Sequence, residues 1–167
     1  LSVSFNRNVG HDYLEDYEER YELYNKKESR IQFDLEYFNK ITKGGLPNKT
    51  LNIALAGTGV GKSLFMCHHA SSVLLAGKNV LYITLEMAEE KIAERIDANL
   101  LNVNIQEITD LPKQIFESKV TSLAKKTQGS LIIKEYPTAS AHSGHFKALL
   151  NELALKKSFK PDIIFID

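Results

Sequence analysis

Residues 56–63 read Ala56-Gly57-Thr58-Gly59-Val60-Gly61-Lys62-Ser63, and the fold turns on how this stretch is read. An apolar segment with Leu51, Ile53, Ala54 and Leu55 precedes it, and a segment of helical period begins near Lys62. Strand, glycine-rich loop and helix in that order are the setting of a phosphate-binding loop. Gly57, Gly59 and Gly61 open dihedrals closed to residues with a Cβ, so the N–H groups from Gly57 through Thr58, Gly59, Val60 and Gly61 turn inward as an anion nest. Lys62 supplies a mobile point charge for β- and γ-phosphates, and the Ser63 hydroxyl is a hard oxygen ligand for Mg²⁺. The helix N-terminus adds its partial positive charge. The first position departs from the usual glycine, and Ala56 suits it if the residue ends the strand at negative φ. The stretch reads as a site for a nucleoside triphosphate with Mg²⁺.

Outward from the loop, the pattern repeats. Lys62 to Leu75 is expected to be a helix closed by Gly77, and Thr50 to Ala56 the strand before the loop. Asn79 to Leu85 (NVLYITL) reads as a buried parallel strand ending in Glu86, and Met87 to Leu101 as a helix with Ile92, Ile96 and Leu100 on one face. A helix over Lys113 to Lys126, a strand over Ser130 to Tyr136, a helix over Ser143 to Lys157 and a strand over Asp162 to Asp167 follow. Strands alternating with helices of about three turns predict an α/β fold, a parallel sheet flanked by helices. His68 and His69 are adjacent, so they face different directions on their helix and read as packing or surface residues, not shared metal ligands. Toward the N-terminus, Ile31 to Asn48 is an ordered lead-in with a short helix at Leu35 to Lys40. Before it, His11 to Lys27 places Tyr13, Leu14, Tyr17, Tyr21 and Tyr24 at helical spacing among glutamates, which predicts an amphipathic helix.

The 167 residues suffice for one sizeable domain, and 21 Lys and Arg balance 21 Asp and Glu, so the chain exerts no overall pull on nucleic acid. Cys67 is the single cysteine; no internal disulfide exists, and its apolar helical surroundings suit a buried thiol in a reducing compartment, the cytoplasm. No apolar run approaches the roughly 20 residues of a membrane span. A chain starting at Leu1 and ending at Asp167 directly after an apolar strand reads as a fragment of a longer protein.

That terminal strand, Ile163-Ile164-Phe165-Ile166-Asp167, has the form of a Walker B element, whose carboxylate holds the Mg²⁺ shell. Hydrolysis needs in addition a group that positions and deprotonates water. Glu86 stands at the C-terminal edge of a parallel strand, where α/β sheets place ligands. Its position alone suits equally a glutamate that complements a helix dipole.

The loop AGTGVGKS, the segment Leu81 to Leu101 (LYITLEMAEEKIAERIDANLL) and the terminal IIFID resemble, in this order, the RecA-like ATPase core of DnaB-type hexameric replicative DNA helicases, with the likeness greatest to bacteriophage members. The resemblance covers nearly everything from Ile31 onward. It implies ATP as the nucleotide and Glu86 as catalytic base within Thr84-Leu85-Glu86-Met87; Lys62 of the loop completes the catalytic set, with Ser63 and Asp167 read as metal ligands. It further implies a homo-hexamer on single-stranded DNA with primase and loader partners, in the host cytoplasm for a phage protein. Residues 1–30 resemble the family's linker helix, which docks on a neighbouring subunit; residues 31–167 would form the ATPase core. Arg95 falls at a recurrent arginine of the family and is kept outside the catalytic set.

In that family a strand lying between the Walker A and Walker B strands, the DNA-contacting loops and the arginine finger all follow the Walker B strand, so this stretch alone is expected to be a poor ATPase. The lysines Lys125, Lys126, Lys156, Lys157 and Lys160 are not interleaved with aromatics and read as solvated helix ends. A RecA-like recombinase or clock-type ATPase, or an ATP-gated assembly module in which Glu86 is incidental, would share the core. The stretch Leu81 to Leu101 joined to a tyrosine-rich leading helix speaks for the helicase.

Overall fold

The computed structural model describes residues 10–26, 28–137 and 140–167. Helix α1 spans Tyr17–Asn25, and a short strand β1 (Arg30–Ile31) pairs antiparallel with β2 (Leu46–Pro47) around α2 (Glu36–Ile41). Then come α3 (Lys62–Leu75), β3 (Val80–Thr84), α4 (Glu89–Leu101), a 3₁₀ turn at Ile105–Asp110, α5 (Lys113–Lys126), β4 (Leu131–Glu135), α6 (Ser143–Lys157) and β5 (Ile163–Ile166).

The three later strands form a parallel sheet in the order β4-β3-β5. Strand β3 is its middle because all five of its residues are apolar or compact enough to be buried on both sides. Val80 and Tyr82 point to one face, where Met66, Cys67, Ala70, Val73 and Leu74 of α3 and Ile92 and Ile96 of α4 cover them. Leu81 and Ile83 point to the other, under Leu149 and Leu153 of α6 and Phe159. Ile92 is fully buried, a position where truncation to alanine typically costs about 2–5 kcal/mol. Helix α3 ends as expected: Gly77, at φ 81°, donates to the Leu74 carbonyl, and Lys78 donates to that of Val73.

Thr50 to Ala56 does not form a strand. Leu51, Ile53 and Leu55 are 88%, 81% and 95% exposed, because a strand exists only through its ladder and no described strand lies beside this segment. β3 is already paired on both edges, and Ile164 and Ile166 of β5 stay partly exposed. The sheet is therefore three-stranded, and the strand expected to lead into the loop is irregular. The amphipathic helix is also shorter than expected. It starts at Tyr17, since the Asp12 carboxylate accepts from the Leu14 and Glu15 N–H groups and shapes a separate turn over Tyr13 and Leu14. Its expected end, Lys27, lies outside the described residues, as do residues 1–9 of the leading segment.

The adjacent histidines part as their spacing requires. His68 faces outward, with Nε2 2.6 Å from Asp34 and Nδ1 2.7 Å from the Asn99 amide. His69 points inward, 3% exposed, stacked on Phe33 with ring centroids 4.2 Å apart. Burial drives its pKa down from 6.5 to about 4. The folded state thus holds His69 neutral. Above pH 6.5 neither state binds the proton; as pH falls toward 4 the unfolded chain gains it, and stability is lost over that window. The loss should reach roughly 3 kcal/mol, at about 1.4 kcal/mol for each pH unit. Urea unfolding of the intact protein at pH 7.5 and pH 4.5 should show it, and His69→Phe, which keeps the stacking, should remove most of it.

Candidate functional site

Loop and helix geometry at residues 57–63 comes from backbone freedom, not from space. Gly59 and Gly61 take φ of 75° and 105°, and a Cβ built on either meets nothing within 4 Å; the requirement is the left-handed conformation itself. Gly61 caps α3 in that conformation, and its carbonyl accepts from the Phe65 N–H at 2.9 Å. Lys62 and Ser63 therefore open the helix, while Gly57, Thr58 and Val60 remain exposed. This is the loop-to-helix-start arrangement that directs backbone N–H groups and the helix dipole at an anion.

Strand β5 delivers Asp167 to the same place. Phe165 sits opposite Tyr82 in the β3–β5 register, and Asp167 follows two residues on, on the same face. Its backbone continues the ladder, accepting from Leu85 at 2.7 Å and donating to Ile83 at 3.0 Å. The carboxylate is only 5% exposed. Oδ2 accepts from the Tyr82 hydroxyl at 3.1 Å. Oδ1 lies 3.0 Å from the Lys62 ammonium, in ion-pair contact but without the alignment of a hydrogen bond. Burial pushes the Asp167 carboxyl upward, yet the polar contacts of Ser63, Lys62 and Tyr82 and the Lys62 charge outweigh it and hold the group below the ordinary aspartate range. Lys62 is held above the ordinary lysine range, first by Asp167 and, among smaller causes, by the field of Glu86.

Glu86 lies beyond the end of β3 and is exposed. The following helix starts at Glu89, two residues later than the expected Met87, and Glu89 and Glu90 occupy its first turn. Thr84, 1% exposed, fixes the connection by accepting from the Met87 N–H at 3.1 Å and donating to the Met87 carbonyl at 2.8 Å. Glu135 and Glu89 clasp the other side, each carboxylate accepting the other's backbone N–H at 3.2 and 2.8 Å. Glu86 thus projects from a short loop pinned at both ends.

The geometry brings Lys62, Ser63 and Asp167 together at the C-terminal edge of the sheet, with Glu86 near enough for its charge to act on Lys62. Arg95 is half-buried on α4; its charge reaches the Cys67 thiol, and no contact joins it to the loop. Sequence reading missed Tyr82, which looks like one more apolar residue of a buried strand. The described residues contain no group of three or more His, Cys, Asp or Glu side chains that would hold a metal ion by themselves. An ion here would need oxygens from phosphate. Ser63 and Asp167 fit that requirement, since both are hard oxygen donors and Oδ1 of Asp167 is buried with no directed hydrogen bond to satisfy it.

A parallel sheet covered by helices on both faces, a glycine-rich loop running into α3 and an aspartate ending β5 define a RecA-like P-loop core. The chain belongs to the DnaB-like helicase family: the model of the DnaB-like helicase C-terminal domain matches residues 31–167. A DnaB-like replicative helicase of Enterobacteria phage T4 is 48% identical over 170 aligned residues, which cover all of this chain and 36% of that relative. The chain thus spans about a third of the length of the relative it matches. No helix among the described residues is long and apolar enough to cross a membrane.

Proposed function

We propose that this chain is the ATP-hydrolysing motor core of a replicative DNA helicase subunit, which couples ATP turnover to translocation on single-stranded DNA. The observation that carries this reading is the convergence of Lys62 from α3 and Asp167 from β5 at 3.0 Å, at the sheet edge where Glu86 projects. In this reading the backbone N–H groups of Gly57, Thr58, Gly59, Val60 and Gly61 cradle the phosphates. Lys62 binds them as a point charge and stabilises the charge that develops during transfer. Ser63 and Asp167 would hold Mg²⁺, which would offset the negative charge of the phosphates. Glu86 orients a water in line with the γ-phosphate and accepts its proton. The loop is exposed at Glu86 while Asp167 is buried, so the two carboxylates are suited to different tasks, proton acceptance and metal holding.

The same reading makes the working unit a homo-hexamer in the host cytoplasm, supplied by a loader and paired with a primase. Turnover of ATP by the intact protein with and without single-stranded DNA tests it: stimulation of ten-fold or more is expected on the scale of coupled phosphoryl transfer. A rate indifferent to DNA would leave only an ATP-gated assembly protein.

Residues 1–30 are proposed to dock on a neighbouring subunit. Tyr17, Tyr21 and Tyr24 of α1 are 60%, 69% and 77% exposed, and α1 buries no residue; a helix this short is marginal in water without cover. Replacing both Tyr17 and Tyr21 with Ser in the intact protein should shift the mass seen by light scattering from ring to smaller species, with the core's unfolding temperature unchanged. An intact ring, or a core that unfolds with the change, would assign α1 to its own domain.

A further inference from the structure

Tyr82 is fully buried on β3, yet it carries a polar group that no apolar strand needs. Its ring stacks on Phe165 of β5, with centroids 5.7 Å apart and planes 17° apart. Because Tyr82 pairs with Phe165 in register, the long axis of the ring runs on toward the next same-face residue, Asp167. Two contacts meet at the hydroxyl. The Cys67 thiol lies 3.7 Å from it as donor, and Oδ2 of Asp167 lies 3.1 Å from it. A carboxylate only accepts, so the phenol proton goes to Asp167 and the thiol proton to the phenol oxygen. Burial first, and then the proximity of Cys67 and Asp167, keeps the phenol protonated. The chain Cys67, Tyr82, Asp167 is thus directed one way.

We infer that Tyr82 is a positioning residue for Asp167: its hydroxyl engages Oδ2, fixes the carboxylate's rotation, and leaves Oδ1 turned to Lys62 and to the metal shell. This rests on the nucleotide-site reading above. One oxygen is committed to the protein and the other is left for the site. Cys67 sits one helical turn beyond Ser63 on α3, so the same face of that helix presents the proposed metal ligand and the group that orients the phenol.

Tyr82→Phe retains the stack on Phe165 and removes the hydroxyl alone. The test reads binding, not turnover: fluorescence of a mant-ADP complex of the intact protein, titrated with Mg²⁺. The Mg²⁺ concentration giving half the metal-dependent change should rise about five-fold, the size of one net hydrogen bond, while metal-free mant-ADP affinity stays within about two-fold. Placing 4-aminophenylalanine at 82, which restores a donor at similar reach, should return the titration toward wild type. A Y82F titration within two-fold of wild type overturns the inference, as does failure of Y82F to fold, which would make the hydroxyl a core requirement. Lys62→Ala is run beside it. If that protein binds mant-ADP as wild type does, the nucleotide site itself is misplaced; if it loses binding while Y82F titrates normally, the Tyr82 inference alone falls.

Discussion

Glu86→Gln in the intact protein is expected to lower ATP turnover by about 10²- to 10⁴-fold, the usual contribution of a positioned general base, with nucleotide affinity nearly unchanged. Glutamine keeps the shape and the capacity to hold a water but takes no proton from it. The alternative for Glu86, favourable contact with a helix dipole, depends on a place in the first turn of α4. That place is held by Glu89 and Glu90. A dipole contact would also be worth under about 1 kcal/mol and would concern stability, not turnover. Single-turnover measurements with the nucleotide pre-bound separate the two. A rate within a few-fold of wild type would remove Glu86 from the chemistry and leave the loop's two clasps, at Thr84 and at Glu89 with Glu135, without a catalytic purpose.

Lys62→Ala should have the opposite signature, loss of binding. A charge-assisted hydrogen bond is worth about 1.5–3 kcal/mol, so nucleotide affinity should fall by roughly ten- to hundred-fold. The substitution also strips Asp167 of its counter-charge. That carboxylate is 5% exposed, and the Tyr82 hydroxyl would be left donating to Oδ2. Equilibrium titration with mant-ADP, set beside an unfolding curve of the same variant, distinguishes a lost ligand contact from a weakened fold. Wild-type affinity in a well-folded Lys62→Ala protein would show that the loop binds no phosphate.

Much of this was legible in the sequence because it rests on local chemistry. The glycines of the loop, Gly77 after α3 and the apolar runs of β3 and β5 each carry their structural reason within a few residues. Helix α6 was readable to its ends for the same reason. What was not legible depends on partners. Thr50 to Ala56 has the alternation of a strand, but pairing is a relation between two segments, and the second is not among the described residues. The early start read for α1 failed on a side chain, Asp12, that satisfies N–H groups a helix would otherwise use. Tyr82 escaped notice because its meaning lies in the β3–β5 register; nothing in NVLYITL shows that its hydroxyl will meet Asp167.

The role of Glu86 was undecided from position; α4 begins at Glu89, so Glu86 stands outside its first turn. His69 illustrates the reverse case. Adjacent histidines on a helix must diverge, and they do, one to Asp34 and Asn99 and one into an aromatic core. The fate of each was legible as geometry, while the depressed pKa of His69 required knowing that Phe33, Phe65 and Phe165 surround it.

Lys62, Ser63 and Asp167 are proposed to form one ATP·Mg²⁺ site, which a structure of the intact protein with a non-hydrolysable ATP analogue and Mg²⁺ tests most directly. Such a structure is expected to show the triphosphate wrapped by residues 57–61, the Lys62 ammonium moved from Asp167 onto phosphate oxygens at about 2.7–2.9 Å, and Ser63 and Asp167 in the metal shell. A nucleotide bound elsewhere, with Lys62 still paired to Asp167 at 3.0 Å, would contradict it.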